Sequence, residues 1–502
     1  MRHITLAAIV CSAVAAGTVL AAHASEPASA VNAPAPAPAA KVQPAANPPA
    51  AAALAYTDVL IKDVPHIKQK PDFCGEACAA MALQRLGKKW DQDDVFNVSG
   101  VDPVLARGCT TRELAPALTR IGFKVGPIAY KVPAAKPGEA VEAQWAAMHA
   151  DLARGFPSIV CTHYDETPRT TEHFRLIVGY AGKTDEVIYH EPAAAEGAYL
   201  RMKRDAFLRL WPLKYEKDTW TLIRMRLEPG EIKDAQRPAG FTSADFAQHI
   251  MDLRKKIPSE GTWGVVVATP FVVVGDQPAA IVKQYAQGTV RWSTDMLKAD
   301  FFAKDPAEIL DVWLFKDKPS YERYTREIFH DTPTTPYGYY SSEHQALIMN
   351  IATGGGTLVH EIVHPFMRAN FAECPDWFNE GMGSLYEQSE SKAGHIRGRT
   401  NWRLAGLKEA IAAGRVPTFE GLLSTTSHQF YNLDRGTNYA QARYLCYYLQ
   451  ERGLLVKFYH DFADNCKDDP TGYKTLQKVL SEKDMTAFQK RWEAWVTKLT
   501  FP

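Results

Sequence analysis

The string His360-Glu361-Ile362-Val363-His364 constrains this chain more than any other feature in it. On an α-helix, residues four apart project from one face, so both imidazoles can hold a single Zn2+. Glu361, the next residue along, faces the substrate side and can take a proton from water at the metal. Two His and one carboxylate leave a tetrahedral position open, as catalytic zinc requires. The spacing therefore predicts a helix over Thr357 to His364, and Pro365 directly after it predicts a kink. Such a site needs a folded scaffold, and the composition permits one. The chain has 502 residues, 46% hydrophobic and 23% charged, which is globular and excludes a fibrous or mostly disordered polymer. At about 150 residues per domain this length suggests two to four domains. Lys plus Arg and Asp plus Glu are both 57, and no long basic run occurs, so no nucleic-acid partner is expected.

A third ligand lies downstream. Asp376 to Glu387 reads as a second helix starting near Trp377, and it carries Trp377-Phe378-Asn379-Glu380-Gly381. This resembles the Asn-Glu-Gly helix of the gluzincin metallopeptidases. The resemblance implies that Glu380 completes a His360, His364 and Glu380 zinc site. It also implies that the second half is a mainly helical gluzincin domain opened by a sheet. Ala346 to Ile351 stands where that family has its substrate-binding edge strand. Tyr439, early in the helical run ending near Gly453, matches the position of the Tyr that supports the tetrahedral intermediate. His428, Tyr431 and His460 are the alternatives.

The first half carries a different constellation. Gln69 stands five residues before Cys74, which opens Cys74-Gly75-Glu76-Ala77-Cys78 and an Ala-rich helical pattern stopped at Gly87. A cysteine at a helix N-terminus sits near the positive end of the dipole, which favours thiolate, and the N–H groups there can hold an oxyanion. The Gln69 amide is a second donor. His173 heads an apolar strand, Phe174 to Tyr180, and Tyr189-His190-Glu191-Pro192 follows. Glu191 can orient the His173 imidazole through Nδ1, which completes nucleophile, base and orienter. Gln69, Cys74 and His173 resemble the papain-like peptidases that cut bacteriocin leaders after double glycine. Glu191-Pro192 departs from their Asp-Pro. The resemblance covers about 170 residues and implies a papain-like cysteine peptidase-like domain. The membrane spans and ATPase that accompany it in exporters are absent from this sequence.

These readings divide the chain. Residues 1–24 read as a signal peptide: a basic start, an uncharged stretch from Ile4 to Ala22, and Ala22-His23-Ala24 for cleavage. Residues 25–54 are an Ala/Pro-rich linker. Residues 55–230 are the cysteine peptidase-like domain and 231–502 the gluzincin domain, giving an α+β chain. No later stretch is long and apolar enough to span a membrane. The mature chain is expected in the periplasm or outside the cell. Removing Cys11 leaves seven of the eight Cys, an odd count that leaves a free thiol, and Cys446 with Cys466 is the expected pair. The function expected is a peptidase with a thiol site and a Zn2+ site, acting on protein or peptide substrates. The alternatives are a cysteine domain that only binds peptides beside a cutting zinc site, and a cell-wall peptide amidase.

Overall fold

Apolar runs buried on both faces form the centres of two sheets. The computed structural model describes residues 56–333, 335–433 and 436–501. The expected signal peptide and Ala/Pro-rich linker lie outside the described residues. Within these residues no helix is long and apolar enough to cross a membrane.

In the first half the strands run in chain order as β1 (Val59–Leu60), β2 (Phe123–Lys124), β3 (Ala129–Pro133), β4 (Ser158–His163), β5 (Glu172–Ala181), β6 (Glu186–His190), β7 (Leu200–Lys203), β8 (Thr219–Arg226) and β9 (Glu228–Pro229). β2 pairs with β9, and the others form an antiparallel sheet ordered β3-β8-β4-β5-β6-β7, with β1 on β5. The helices are α1 (Cys74–Arg85), α2 (Gln92–Ser99), α3 (Thr111–Ile121), α4 (Gly138–Ala153) and α5 (Arg204–Leu210). A left-handed turn residue, Asp72 at φ 65°, leads into α1. Its small side chains let the helix press close. A Cβ at Gly75 would lie 2.6 Å from Leu114 and 3.1 Å from Phe174 on β5. That close approach delivers Cys74 to the sheet.

The second half opens with α6 (Ser243–Lys256), capped by a reciprocal Thr242–Asp245 box. Its sheet is ordered β10-β11-β12-β14-β13: β10 (Gly264–Ala268), β11 (Phe271–Gly275), β12 (Leu310–Phe315), β13 (Gly338–Ser341) and β14 (Ala346–Asn350). The three inner strands are parallel and the two outer ones antiparallel. Helices α7 (Ala279–Tyr285), α8 (Trp292–Asp300) and α9 (Lys318–Phe329) connect the strands. On one face Val272, Val274, Trp313, Phe315 and Ile348 pack with α6 and α9. On the other, Val273, Val312, Leu314, Leu347 and Met349 pack with α10 (Gly356–Asn370) and α11 (Asp376–Tyr386). A small hairpin, β15 (Ser389–Lys392) and β16 (His395–Gly398), precedes α12 (Arg403–Ala412), α13 (Phe419–Leu423), α14 (Ser427–Asn432) and α15 (Thr437–Glu451).

The polar connection is firmly fastened. Trp90 Nε1 donates to Lys233 O at 2.9 Å, Arg237 Nη2 to Asp94 at 2.7 Å, and Ala244 N to Asn97 Oδ1 at 2.9 Å. α6 then has a foot in each half. Ala244 and Ala247 are buried in the first core, and Phe246, Ile250 and Leu253 in the second.

Three expectations need correction. Ala346 to Asn350 is an inner strand, buried along its whole length, and the sheet edge is β13. A run of Ala, Leu, Ile and Met suits burial on both faces, whereas Gly338-Tyr339-Tyr340-Ser341 is largely half-exposed. The helix expected over Thr357 to His364 is longer, α10 running on to Asn370 with Pro365 buried inside it. Cys446 and Cys466 are both free. Cys446 faces the α11–α15 seam, where a Cβ on Gly381 would come within 2.9 Å of its Sγ, while Cys466 Sγ lies 3.9 Å from Glu373.

Candidate active sites

The thiol site forms where the N-terminus of α1 meets the start of β5. Cys74 is half-buried, and its sulfur is hydrogen-bonded by the backbone of Phe174, the residue after His173, and by that of Gly75. No hydrogen bond joins Cys74 to the His173 ring among the described residues, and apo catalytic contacts are often long. Across β5, His173 Nε2 bonds Glu191 Oε1. Arg175 Nε donates to Glu191 Oε2 at 2.8 Å, and Ala193 N to Glu191 Oε1 at 3.1 Å. Burial alone would raise the Glu191 carboxyl, but the bond from His173 and the charges of His173 and Arg175 hold it below the usual carboxylate range. Gln69 stands beside this turn. Its N–H donates to Pro192 O at 2.8 Å, and its side-chain Oε1 is buried without a partner.

Two expectations change here. Glu191 takes Nε2 of His173, leaving Nδ1 as the ring nitrogen outside that pair. The register explains this: β6 ends at His190 opposite Leu176, so Glu191 follows alongside Arg175, on the face His173 shares. The expected lowering of the Cys74 thiol is reversed. Burial pushes it up to about 12, helped by the Glu76 and Asp72 carboxylates and only partly opposed by the two backbone hydrogen bonds.

A candidate metal site is assembled by α10 and α11. His360 Nε2 lies 3.2 Å from Glu380 Oε2, and His364 Nε2 lies 4.0 Å from Glu380 Oε1. All three candidate ligand atoms fall within 4.8 Å of one another. Ligands about 2.0–2.2 Å from a tetrahedral zinc sit roughly 3.3 Å apart, so the spacing fits. The other ring nitrogens are held from outside, His360 Nδ1 by Glu387 Oε1 at 3.1 Å and His364 Nδ1 by Asn379 Oδ1 at 3.0 Å. Each outer bond turns Nε2 towards the shared centre. Glu380 Oε2 is buried and has no polar contact of good hydrogen-bond geometry beyond the approach of His360 Nε2, and a cation between them would satisfy both. Gly383 keeps the centre open, since a Cβ there would lie 3.1 Å from His360 Nε2. These residues fit a zinc ion.

Beside this centre is a cleft of about 920 Å³, lined by His360, Glu361, Tyr439, Tyr337, Gly338, Trp402 and Arg403 among others. Burial pushes the Glu361 carboxyl above its usual range, against the pull of both imidazoles. Tyr431 OH donates to Glu380 Oε1 at 2.9 Å, and the Tyr439 hydroxyl also hydrogen-bonds Glu380. His428 and His460 are exposed and do not line the cleft.

Residues 61–218 match the model of the Peptidase_C39 like family. The match supports a papain-like, cysteine-type peptidase domain over that span, and Gln69, Cys74, His173 and Glu191 all fall inside it. A solved structure similar to this chain is the peptidase domain of Streptococcus ComA, a bi-functional ABC transporter involved in a quorum sensing pathway. It shows 13% identity, covers 34% of this chain and 98% of that chain, and has a TM-score of 0.22. No curated protein matches the chain.

Several site residues escaped the sequence reading. Arg175 lies two residues beyond His173, so strand alternation already put both on one face. Glu387 lies two helical turns beyond Glu380, a spacing that shares a face in the same way. Glu76 had no signal. It is fully buried, takes the Cys109 N–H at 2.6 Å, and is pushed up to about 7 by burial.

Proposed function

We propose that this chain is an exported peptidase with two sites, a Cys74–His173–Glu191 site and a zinc site at His360, His364 and Glu380. The observation that supports the zinc half is the pair of inward-turned Nε2 atoms facing the two oxygens of one buried carboxylate, Glu380. The family match supports the cysteine half. Zinc bound there would act as a Lewis acid and acidify a nearby water. The protein's own groups do the rest. Glu361 accepts the proton of the attacking water and returns it to the departing amide nitrogen. Tyr439, on the cleft wall, donates its hydroxyl proton in a hydrogen bond to the developing oxyanion. β13, the sheet edge, offers backbone groups to an extended peptide. In the thiol site Cys74 attacks the carbonyl, His173 takes the thiol proton and passes it to the amine as the C–N bond breaks, water hydrolyses the resulting thioester, and the Gln69 amide with the N-terminus of α1 faces the oxyanion.

A second reading is favoured by the raised Cys74 thiol: the first half recognises peptides and the zinc site alone cuts. One experiment separates the two. Peptide-library cleavage by the full chain is measured with a chelator, with a thiol alkylating reagent, and with both. Chelator-resistant cleavage that disappears in Cys74→Ala supports two working sites. Cleavage abolished entirely by chelator, with Cys74 slow to alkylate near neutral pH, supports the binding reading. Absence of zinc in the purified chain removes the metallopeptidase half of either.

A further inference from the structure

Trp402 is 60% exposed, more than any other large hydrophobic side chain lining the metal cleft. Its backbone is anchored on both sides. Asn401, fully buried, donates its N–H to Tyr444 OH at 3.0 Å, accepts from that hydroxyl at 3.2 Å, and donates Nδ2 to Glu387 Oε2 at 3.2 Å. Arg403 donates Nη2 to Glu387 Oε1 at 2.8 Å. Glu387 is the carboxylate that holds His360 Nδ1. The indole is thus built onto the same support as a metal ligand. The Arg403 guanidinium lies 4.3 Å from the indole centre and 5.3 Å from that of Tyr439, so one indole face is backed by a fixed cation. The exposed indole lines the cleft.

Tyr337 lines the same cleft and is 51% exposed. It too is anchored, its carbonyl accepting from Asn350 N at 2.9 Å and the preceding Pro336 carbonyl from Asn350 Nδ2 at 2.9 Å. Apolar surface left in water costs about 25 cal/mol per Å², and a stacked ring from a ligand would recover it. A sugar ring would need free polar groups beside the indole, yet Arg403 and Glu387 are engaged with each other. Tyr337 also leads into β13, whose outer edge pairs with no strand among the described residues and can take an extended main chain.

We infer that Trp402, with Tyr337, is the specificity element of the metal cleft and receives an aromatic side chain of a peptide substrate. This rests on the peptidase reading. The test uses the full, zinc-loaded chain and two matched sets of fluorogenic peptides, with Phe or Ala scanned along an otherwise fixed sequence. At one position Phe should raise kcat/KM about tenfold over Ala. Trp402→Ala should bring that ratio close to one, Trp402→Phe should keep most of it, and zinc content should not change in either. A ratio near one at every position in the parent chain, or one that survives Trp402→Ala, would overturn the inference. Equal loss on both peptide sets, or lost zinc, would make Trp402 merely structural and overturn it too. Quenching of indole fluorescence by chitotetraose, with no Phe preference, would give the surface to a sugar. Chelator-sensitive cleavage without aromatic preference sinks only this inference. No chelator-sensitive cleavage of any peptide sinks the peptidase reading first, and the inference with it.

Discussion

The two sites use the same device, a buried carboxylate against an imidazole, and reach opposite states. In the candidate metal site Glu387 sits behind His360, and the two oxygens of Glu380 face the Nε2 atoms of His360 and His364 across 3.2 and 4.0 Å. In the thiol site Glu191 is saturated. It takes His173, Arg175 and the Ala193 N–H, while the sulfur it would serve is held near two carboxylates and pushed up. A carboxylate facing two imidazoles across such gaps has room to share a cation with them, whereas one bonded by a His, an Arg and a backbone N–H is already filled. By that measure His360, His364 and Glu380 can take a cation, and the His173–Glu191–Arg175 joint resembles a brace.

The sharpest test of this contrast is Glu361→Gln. It should keep zinc, measured by elemental analysis, while chelator-sensitive cleavage falls about 10²–10⁴-fold through loss of the base. His360→Ala should lose both. Retained turnover in Glu361→Gln would break the assignment of roles. Next is the brace. Arg175→Met leaves Glu191 buried with two of its three partners and Oε2 without one, so denaturant unfolding should show a loss of about 3–5 kcal/mol. A loss below about 1 kcal/mol would mean that the pair is not structural.

Smaller is Glu387→Gln, which weakens the outer hold on His360 and should lower zinc affinity about 10–100-fold by competition with a chelating dye. Unaltered affinity would show that α10 alone orients the ring. The smallest effect belongs to Glu76. Its folded pKa is raised to about 7, so its stabilising contribution is full below the ordinary Glu range and is lost as pH rises towards 7. Glu191 has the opposite sign: its lowered pKa adds stability above the ordinary range and loses it in acid. Glu76→Gln should therefore raise stability at pH 8 by roughly 1–3 kcal/mol and leave pH 4 nearly unchanged. An equal change at both pH values would show that the effect is packing.

Much of the site was readable because helix and strand periods are rigid. His360 and His364 share a face as the helical spacing implied, Glu380 meets them as the family resemblance implied, and His173 pairs with Glu191. Burial and register were harder. The dipole argument for Cys74 treated the helix end as exposed, but Gly75 lets α1 sink against Phe174, and desolvation then outweighs the dipole. The choice of Nε2 depended on where β6 stops against β5. The strand before the zinc helix was read as the edge, although its unbroken apolar run already suited an inner place. Tyr431 competed with Tyr439 for one role, and both hydroxyls reach Glu380. Nothing in the spacing forced that outcome, because the two residues sit on separate helices, α14 and α15.

α6 has a consequence for heritability and heat alike. A helix with Ala244 and Ala247 in one core and Phe246, Ile250 and Leu253 in the other is common property. A gene cut ahead of it strips Ala244 and Ala247 from the first core, and one cut behind it strips Phe246, Ile250 and Leu253 from the second sheet. The halves therefore travel as a pair, and in a calorimeter they should melt in a single endotherm. Gln248 on that helix also donates to Pro71 O at 3.0 Å, three residues before Cys74, so loosening of the second sheet would be felt at the thiol before either core has opened.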